Sequence, residues 1–278
     1  MGFISESLNL TESIFMLLRD LIHEKTGIHY EDERRDVLAN KLSPLVIDRG
    51  FSSFLDYYYL LKYDETADEE WKRVMDALSV QETFFWREID QIKALVNVVV
   101  PQHFAAYPNQ TLRIWSAACA TGEEPLTIAM ALNEAGWFSK KIEIYATDAS
   151  PSALAKAKKG LYRERSFRNL SPILHTTYFR PEQGVWRVSP ELHARIQWQM
   201  VNLAVSRDMK LLPPMSVIFC RNVFIYFSEQ SIRKTLKTFY EIMLEPAYLF
   251  VGASESLLKI TTDFDLKEIG GAFVYVKQ

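Results

Sequence analysis

After about residue 110, short strand-like segments alternate with helical segments along the chain. The strand-like segments are Leu112–Trp115, Ile142–Ala146, Ile196–Met200, Val217–Cys220 and Tyr248–Val251. The segments 123–135, 150–160 and 229–243, which lie between them, have the apolar spacing of helices. Alternation of this kind is typical of an α/β domain that is built on a mostly parallel sheet. The sequence therefore predicts such a domain over residues 111–278.

Residues 171–200 interrupt this alternation. They contain Pro172, Pro181, Gly184 and Pro190 around the short run Val185–Val188. Because proline lacks a backbone N–H group and glycine favours turns, long regular elements are not expected here. We predict an insertion with a small antiparallel β element.

The N-terminal part of the chain has a different periodicity. Over residues 11–80, apolar residues recur at helical spacing, beginning with Ile14, Leu17, Leu18, Leu21 and Ile22. Pro44 lies inside a second helical pattern and is expected to kink or restart it. The prediction is an all-α N-terminal domain over residues 1–80, followed by an interdomain segment over residues 81–110.

Composition excludes several classes of protein. The hydrophobic content of 48% is ample for a core, and the net charge of -3 does not favour nucleic acid as a partner. The two cysteines cannot form a disulfide framework and favour free thiols in a reducing cytoplasm. The five histidines show no metal-ligand spacing, so we expect no metal site. No apolar run approaches the roughly 20 residues of a membrane span, and we expect no membrane insertion.

The turn after the first predicted strand indicates a ligand. The stretch Trp115–Pro125 reads WSAACATGEEP, and a helical run follows it. Small residues at such a turn let the backbone approach a ligand closely. Glu123 and Glu124 stand at the helix start, where a phosphate-binding turn would not place anions. An amine-bearing cofactor suits them better, which favours S-adenosylmethionine over a nucleotide phosphate.

Polar residues also follow the other predicted strands. In an open α/β sheet, ligands bind at the carboxyl ends of the strands. Asp148 ends the second strand, where an acid accepts the ribose hydroxyls of an adenosine cofactor, although it would equally suit a cap of the following helix. Further along the chain, the residues at strand ends are Asn202 and Leu203, which suit an adenine ring, and then Arg221, Asn222 and Tyr226.

Taken together, these segments resemble the CheR family, the S-adenosylmethionine-dependent methyltransferases that esterify glutamate side chains on bacterial chemoreceptors. The resemblance runs over nearly the whole chain. The segments that carry it are Gln81–Glu88, Trp115–Pro125, Ala146–Asp148, Gly160–Tyr162, Asn202–Leu203, Phe219–Phe227 and Gly252–Glu255. The resemblance implies an all-α N-terminal domain and a class I methyltransferase-type, mostly parallel sheet with helices on both faces. It also implies a small antiparallel insertion.

The resemblance further implies roles for individual residues. Gln81, Thr83 and Arg87 would reach the cofactor from the interdomain segment, with Arg87 near the methionine carboxylate. Glu124 would lie near the cofactor amino group, and Asp148 would hold the ribose. Asn202 and Leu203 would sit by the adenine. Arg221, Asn222 and Tyr226 would line the region where the methyl donor and the acceptor meet, with Arg221 and Asn222 beside the cofactor. Since a glutamate acceptor is already ionised at neutral pH, we expect Arg221 and Tyr226, as the catalytic residues, to orient its carboxylate and not to transfer a proton.

The chain departs from the family at Gln81, where the family more often has asparagine, and in two regions that concern the partner. Residues 1–79 carry 9 basic and 16 acidic residues, so the N-terminal domain lacks the strongly basic helix that suits an acidic receptor stalk. The compact segment Tyr178–Val188 argues against binding of a receptor's tether peptide. The expected partner is still a chemoreceptor or a similar acidic helical signalling protein. One alternative is a non-catalytic scaffold that binds the same cofactor, and another is a methyltransferase that acts on a small molecule or nucleic acid.

Overall fold

The computed structural model describes residues 8–278, so the first seven residues of the predicted N-terminal domain lie outside the description. In the described part of the N-terminal domain, residues 8–80, four α-helices pack together. They are α1 Glu12–Thr26, α2 Arg35–Asp48, α3 Phe54–Tyr63 and α4 Ala67–Leu78. The apolar sides of these helices enclose a hydrophobic core that is separate from the core of the second domain. It includes the fully buried Leu18, Leu38, Tyr57 and Val74. The all-α prediction is confirmed.

In this domain a glycine ends the first helix, whereas a proline leaves the second helix unbroken. Helix α1 ends at Gly27, which adopts the left-handed conformation (φ 76°) that glycine tolerates. A Cβ at Gly27 would lie 2.9 Å from the Phe227 ring, so the turn packs directly against the second domain. Helix α2 continues through Pro44 from Arg35 to Asp48, so the proline does not divide it.

A single continuous helix of irregular geometry precedes the sheet. It runs through α5 Ile89–Ala94, a π-helical stretch Leu95–Val99 and α6 Val100–Ala106. Before it, Trp86 and Glu88 adopt positive φ angles of 65° and 50°. These two unusual residues turn segment 81–88 back over the carboxyl ends of the strands.

The second domain is built on a seven-stranded sheet. The strands are β1 Leu112–Ala117, β2 Ile142–Asp148, β6 Ile196–Met200, β7 Met215–Cys220, β8 Met243–Val251, β9 Asp265–Ile269 and β10 Ala272–Lys277. Their order is β6-β2-β1-β7-β8-β10-β9. The first four pairs are parallel and the last two are antiparallel. The predicted mostly parallel sheet is confirmed.

Helices cover both faces of this sheet. The main ones are α7 Glu123–Glu134, α8 Pro151–Lys159 and α12 Glu229–Ile242, with the short α11 Ser206–Met209. Neighbouring residues of a strand point to opposite faces. Accordingly, Ile114 packs in the cluster on one face and Trp115 in the cluster on the other. The strands are therefore apolar on both sides, as expected of a buried parallel sheet.

A second, three-stranded antiparallel sheet confirms the predicted small insertion. Its strands are β3 Leu161–Tyr162, β4 Phe179–Glu182 and β5 Val185–Val188, in the order β3-β5-β4. The short helices α9 Pro172–Tyr178 and α10 Pro190–His193 flank it. Its first strand precedes the predicted range 171–200, and the last five residues of that range form β6 of the main sheet. No helix in residues 8–278 is long and apolar enough to cross a membrane.

Candidate functional site

One cleft collects every residue that the sequence predicted for the site. It lies between the carboxyl edge of the main sheet and the N-terminal domain. Its walls include Gln81, Thr83, Arg87, Glu124, Asp148, Asn202, Leu203, Arg221, Asn222 and Tyr226. These residues come from five strand ends or connecting segments, and the parallel topology brings them together. Their individual roles stay predictions.

The turn between β1 and α7 forms part of the cleft wall. Ala118 and Ala120 adopt positive φ angles of 58° and 48°, and Gly122 adopts 95°. A Cβ at Gly122 would lie 2.9 Å from the Trp198 ring, so a side chain has no room there. The Cys119 amide donates to the carbonyl of Thr147 at 2.8 Å. The small residues therefore allow a tight turn whose backbone lines the cleft.

Asp148 holds this turn in place. Its Oδ2 accepts a hydrogen bond from the Ala120 amide at 2.8 Å, and its Oδ1 accepts one from the Ser150 amide at 2.8 Å. The residue is 8% exposed, and burial raises the pKa of its carboxyl group. A carboxylate has about four acceptor positions, of which these amides occupy two. The helix-cap interpretation of Asp148 is wrong, because Ser150 caps α8: its hydroxyl accepts from the Ala153 amide at 3.1 Å. Asp148 instead fixes the turn, and its remaining acceptor positions suit the ribose interpretation.

A buried ion pair joins Glu124 to Arg221. The Arg221 Nε donates to Glu124 Oε2 at 2.6 Å, and the Ser116 hydroxyl donates to Oε1 at 2.6 Å. The side chains of Arg221 and Glu124 are only 3% and 12% exposed. Arg221 Nη1 also donates to the carbonyl of Arg87 at 3.0 Å. The guanidinium group thus fixes Glu124 and ties segment 81–88 to the sheet.

The neighbouring Glu123 has a separate environment. Its carboxylate accepts hydrogen bonds from the hydroxyls of Thr121, at 2.6 Å, and Ser166, at 2.9 Å. The residue is 2% exposed, and burial raises the pKa of its carboxyl group. Since Glu123 does not line the cleft, its role is to support the turn from behind.

Glu255 is a structural residue to which the sequence analysis assigned no role. Its carboxylate accepts from four backbone amides: Gly252 at 2.6 Å, Asn222 at 2.8 Å, Val223 at 2.9 Å and Ile225 at 3.3 Å. Asn222 has a positive φ of 59°. A Cβ at Gly252 would lie 2.6 Å from the side-chain nitrogen Nδ2 of Asn222 and 2.9 Å from its backbone nitrogen. Glu255 therefore fixes the loop that carries Asn222 and Tyr226.

The adenine end of the predicted site meets the N-terminal domain. Asn202 Nδ2 donates to the carbonyl of Lys25 at 2.8 Å, and its Oδ1 accepts from the Ala204 amide at 3.0 Å. Leu203 is 5% exposed. Asn202 therefore connects the two domains as well as lining the cleft, and one of its amide hydrogens remains for a ligand.

Segment 81–88 forms a second wall of the cleft. Gln81 Nε2 donates to Ser152 Oγ at 3.3 Å, and Arg87 Nη1 donates to the carbonyl of Glu82 at 2.9 Å. Phe84 lines the cleft, whereas Phe85 is fully buried in the core of the second domain. The consecutive aromatic residues therefore separate into one that faces the cleft and one that anchors the segment.

The N-terminal domain supplies the third wall, which the sequence analysis did not predict. Tyr30, Arg34, Val37 and Lys41 line it, from α2 and the turn before it. Lys41 Nζ donates to the carbonyls of Ala77 and Leu78, at 3.0 and 3.2 Å. No local pattern indicated these residues, because their position depends on how the domains pack.

Among residues 8–278, no cluster of three or more His, Cys, Asp or Glu side chains could hold a metal ion.

Sequence comparisons match both domains to known families. Residues 81–271 match the model of the CheR methyltransferase, SAM binding domain, and residues 14–79 match the CheR methyltransferase, all-alpha domain. Chemotaxis protein methyltransferase 2 of Vibrio cholerae serotype O1 is 33% identical over 272 residues, which cover 96% of this chain and 94% of that protein. The chemotaxis protein methyltransferase of Escherichia coli K12 is 30% identical over 269 residues, with coverages of 95% and 91%.

These matches confirm the predicted resemblance and the predicted cofactor. They span both domains, and the SAM-binding match includes every predicted site residue from Gln81 to Tyr226. The cleft also fits that cofactor chemically. It combines a turn of small residues, the Glu124 carboxylate, which is paired with Arg221, and the Asp148 carboxylate, which has free acceptor positions.

Proposed function

Because the chain belongs to the CheR methyltransferase family, we propose that it transfers methyl groups from S-adenosylmethionine to glutamate side chains of a chemoreceptor-like protein. The family is one of SAM-dependent chemotaxis methyltransferases, whereas the glutamate acceptor is our proposal. The observation that carries it is the composition of the cleft mouth. Arg34 lines the N-terminal wall of the same cleft as Tyr226, so a cationic residue and a tyrosine border the space for an acceptor carboxylate.

The chemistry proposed here needs no general base. A glutamate side chain has a pKa of about 4.3, so it is already a carboxylate at neutral pH. The cofactor, when bound, supplies a methyl group on a sulfonium, which is a good leaving group. An oxygen of the acceptor forms a bond to the methyl carbon as the methyl–sulfur bond breaks. The residues of the chain therefore serve to align the two groups and to exclude water.

The contacts of Arg221 favour a positioning role over direct contact with the acceptor. Its guanidinium is buried, and it already donates to Glu124 and to the carbonyl of Arg87. In the proposed mechanism, Arg221 holds Glu124 for the cofactor amino group. Tyr226 then becomes the candidate that donates a hydrogen bond to the acceptor carboxylate. Such a bond must not be stronger to the ground state than to the transition state, since that would slow transfer.

A methyl-transfer assay tests the proposal. The protein, the cofactor with a labelled methyl group and a membrane fraction that contains the cell's own chemoreceptors are incubated together. We expect label in protein as a methyl ester, which mild base releases as methanol. Absence of base-labile label, with normal binding of S-adenosylhomocysteine, would favour the scaffold alternative. Label that is stable to base would exclude a glutamate ester.

The Tyr226→Phe variant tests the hydroxyl. Loss of one hydrogen bond to a charged group costs about 1.5–3 kcal/mol, which corresponds to roughly 10- to 100-fold in turnover if it acts on the transition state. Affinity for S-adenosylhomocysteine should stay unchanged. Tyr59→Phe, at a half-exposed residue of α3, is the matched control. Normal turnover by Tyr226→Phe would end a catalytic role for this hydroxyl.

The predicted cytoplasmic location stays a prediction.

A further inference from the structure

Positive charge is concentrated in one stretch of the second domain. Residues 151–200 carry nine basic residues (lysine or arginine) and three acidic residues. Residues 1–79, by contrast, carry nine basic and sixteen acidic residues. The excess is densest between residues 156 and 168, where Glu164 is the single acid. We name this group of exposed side chains the basic band: Lys156, Lys158, Lys159, Arg163, Arg165 and Arg168.

The fold does not neutralise this band. Arg168 Nη2 lies 2.7 Å from Glu82 Oε1. Within residues 8–278, the other five side chains of the band have no carboxylate oxygen within 4 Å. The three lysines lie in the last turn of α8, where cations stabilise the helix dipole. That effect does not account for Arg163, Arg165 and Arg168, which follow the helix. The band is therefore a surface of largely uncompensated positive charge.

The band begins at the rim of the cleft. The Arg168 guanidinium lies 3.7 Å from the centroid of the Phe84 ring, and Lys156 Nζ donates to Gln81 Oε1 at 2.9 Å. Phe84, Gln81 and Glu82 all line the cleft. A partner that covers the band therefore also reaches the segment that forms the cleft wall.

We propose that the basic band docks an acidic helical segment of the methyl-acceptor protein. The inference rests on the proposed function and deepens it by naming the surface that receives the acceptor. A segment rich in glutamates is attracted to the band and repelled by the net negative charge of the N-terminal domain as a whole, so the charge distribution directs the segment to the band and to the adjoining rim of the cleft. Glu82 on Arg168 is the internal example of a carboxylate held at the edge of this band.

Charge reversal in the band tests the docking surface. The triple variant Lys158→Glu, Lys159→Glu, Arg163→Glu alters exposed side chains that make no hydrogen bonds within residues 8–278. In the methyl-transfer assay with the receptor-containing membrane fraction, we expect the apparent KM to rise about tenfold or more. The kcat at saturation and the affinity for S-adenosylhomocysteine should stay within about twofold, since the cleft is untouched. The increase in KM should diminish at high salt.

A matched control separates local docking from overall charge. Lys141, Lys237 and Lys267 are exposed, lie outside the band and do not line the cleft. Their triple replacement by glutamate changes the net charge by the same six units. We expect it to leave KM nearly unchanged. An equal rise in KM for both triple variants, or no rise for the band variant, would overturn the proposal.

A binding measurement decides the matter without methyl transfer. Fluorescence anisotropy compares a labelled helical peptide of glutamate and alanine with its glutamine counterpart. We expect the unaltered protein to bind the glutamate peptide, and the band variant to bind it about tenfold or more weakly. Equal binding by both proteins, or tighter band-dependent binding of a single-stranded RNA, would overturn the proposal. If the receptor fraction accepts no methyl group, the proposed function fails, while this measurement still decides the surface.

Discussion

The carboxyl edge of the main sheet (the sheet edge) and the cleft wall formed by the N-terminal domain (the helical wall) face each other across one cleft. The two regions hold their polar side chains differently. At the sheet edge, Arg221 and Asp148 are buried, the Glu124 side chain is 12% exposed, and each of the three makes at least two hydrogen bonds. On the helical wall, Arg34 and Val37 are exposed, whereas Tyr30 is buried and Lys41 donates to two backbone carbonyls. Buried, hydrogen-bonded charges have one fixed geometry, whereas exposed side chains can change rotamer. The difference suggests that the sheet edge fixes the cofactor and that the wall adapts to the acceptor.

The buried ion pair gives the largest expected effect. Arg221→Met removes the partner of Glu124, which would then be a buried charge without compensation. Breaking such a pair costs about 3–5 kcal/mol. Urea unfolding measures this loss of stability, and adding Glu124→Gln should recover part of it. Lys93→Met is the control, because Lys93 pairs with Asp90 at 60% and 73% exposure and should cost less than about 1 kcal/mol. Equal losses for the two variants would contradict the rigid sheet edge.

Glu255→Gln should have the next largest effect. In the unaltered protein, both carboxylate oxygens of Glu255 accept from backbone amides. Glutamine keeps one of these oxygens but replaces the other with an NH₂ group, which cannot accept from the backbone amides that it faces. Because these amides are partly buried or exposed, we expect a loss of about 1–2 kcal/mol in total, at the low end of the cost of unpaired donors. Turnover should fall because the loop that carries Asn222 and Tyr226 loses its anchor. Urea unfolding and kcat are the measurements, with the exposed Glu268→Gln as control. Unchanged kcat would show that the loop does not need this anchor.

The contrast between the two regions also marks what the sequence can reveal. The five predicted strands and the helices between them are confirmed because local periodicity encodes them. Strands β9 and β10 were not predicted. Strand β9 is an exposed edge strand of sequence DLKEI, which has little apolar alternation to detect.

The site residues at strand ends were predictable for a topological reason. The carboxyl ends of parallel strands meet at one edge, so polar residues there converge. Their partners were not predictable in the same way. Arg221 and Glu124 lie 97 positions apart in the chain, and the helical wall lines the cleft only because of domain packing. Contacts of this kind depend on tertiary structure and leave no local pattern.

Asp148→Ala is expected to act on cofactor affinity. If the free acceptor positions of Asp148 receive ribose hydroxyls, their loss should weaken binding of S-adenosylhomocysteine by about 10- to 100-fold. Calorimetric titration measures the dissociation constant. Asp76→Ala is the matched control, because Asp76 accepts hydrogen bonds from the Ser150 hydroxyl and Ser152 amide but does not line the cleft. A similar loss of affinity in both variants would reduce Asp148 to fixing the turn between β1 and α7.

The smallest effect should come from the attachment of the helical wall to the sheet domain. His23 Nε2 lies 2.6 Å from the Ser228 hydroxyl and 3.0 Å from the Ser231 hydroxyl, at the start of α12. Burial lowers the pKa of His23, and the neighbouring His29 lowers it further, while Asp20 opposes the change. The folded state therefore favours the neutral imidazole. Its contribution to stability is complete above the unfolded pKa of about 6.5 and is lost as the pH falls below that value.

Acid should therefore loosen the contact between the domains before it affects the sheet edge. We expect the melting temperature to fall between pH 7.5 and 5.5, and the His23→Gln variant to show a flatter dependence because it has no imidazole to protonate. Hydrogen exchange locates the change: amides of α1 and of the first turn of α12 should exchange faster at pH 5.5, while those of β1 and β7 stay protected. Equal loss of protection in the central strands would mean that wall and sheet edge unfold as one unit, and the proposed division between an adaptable wall and a fixed edge would fail.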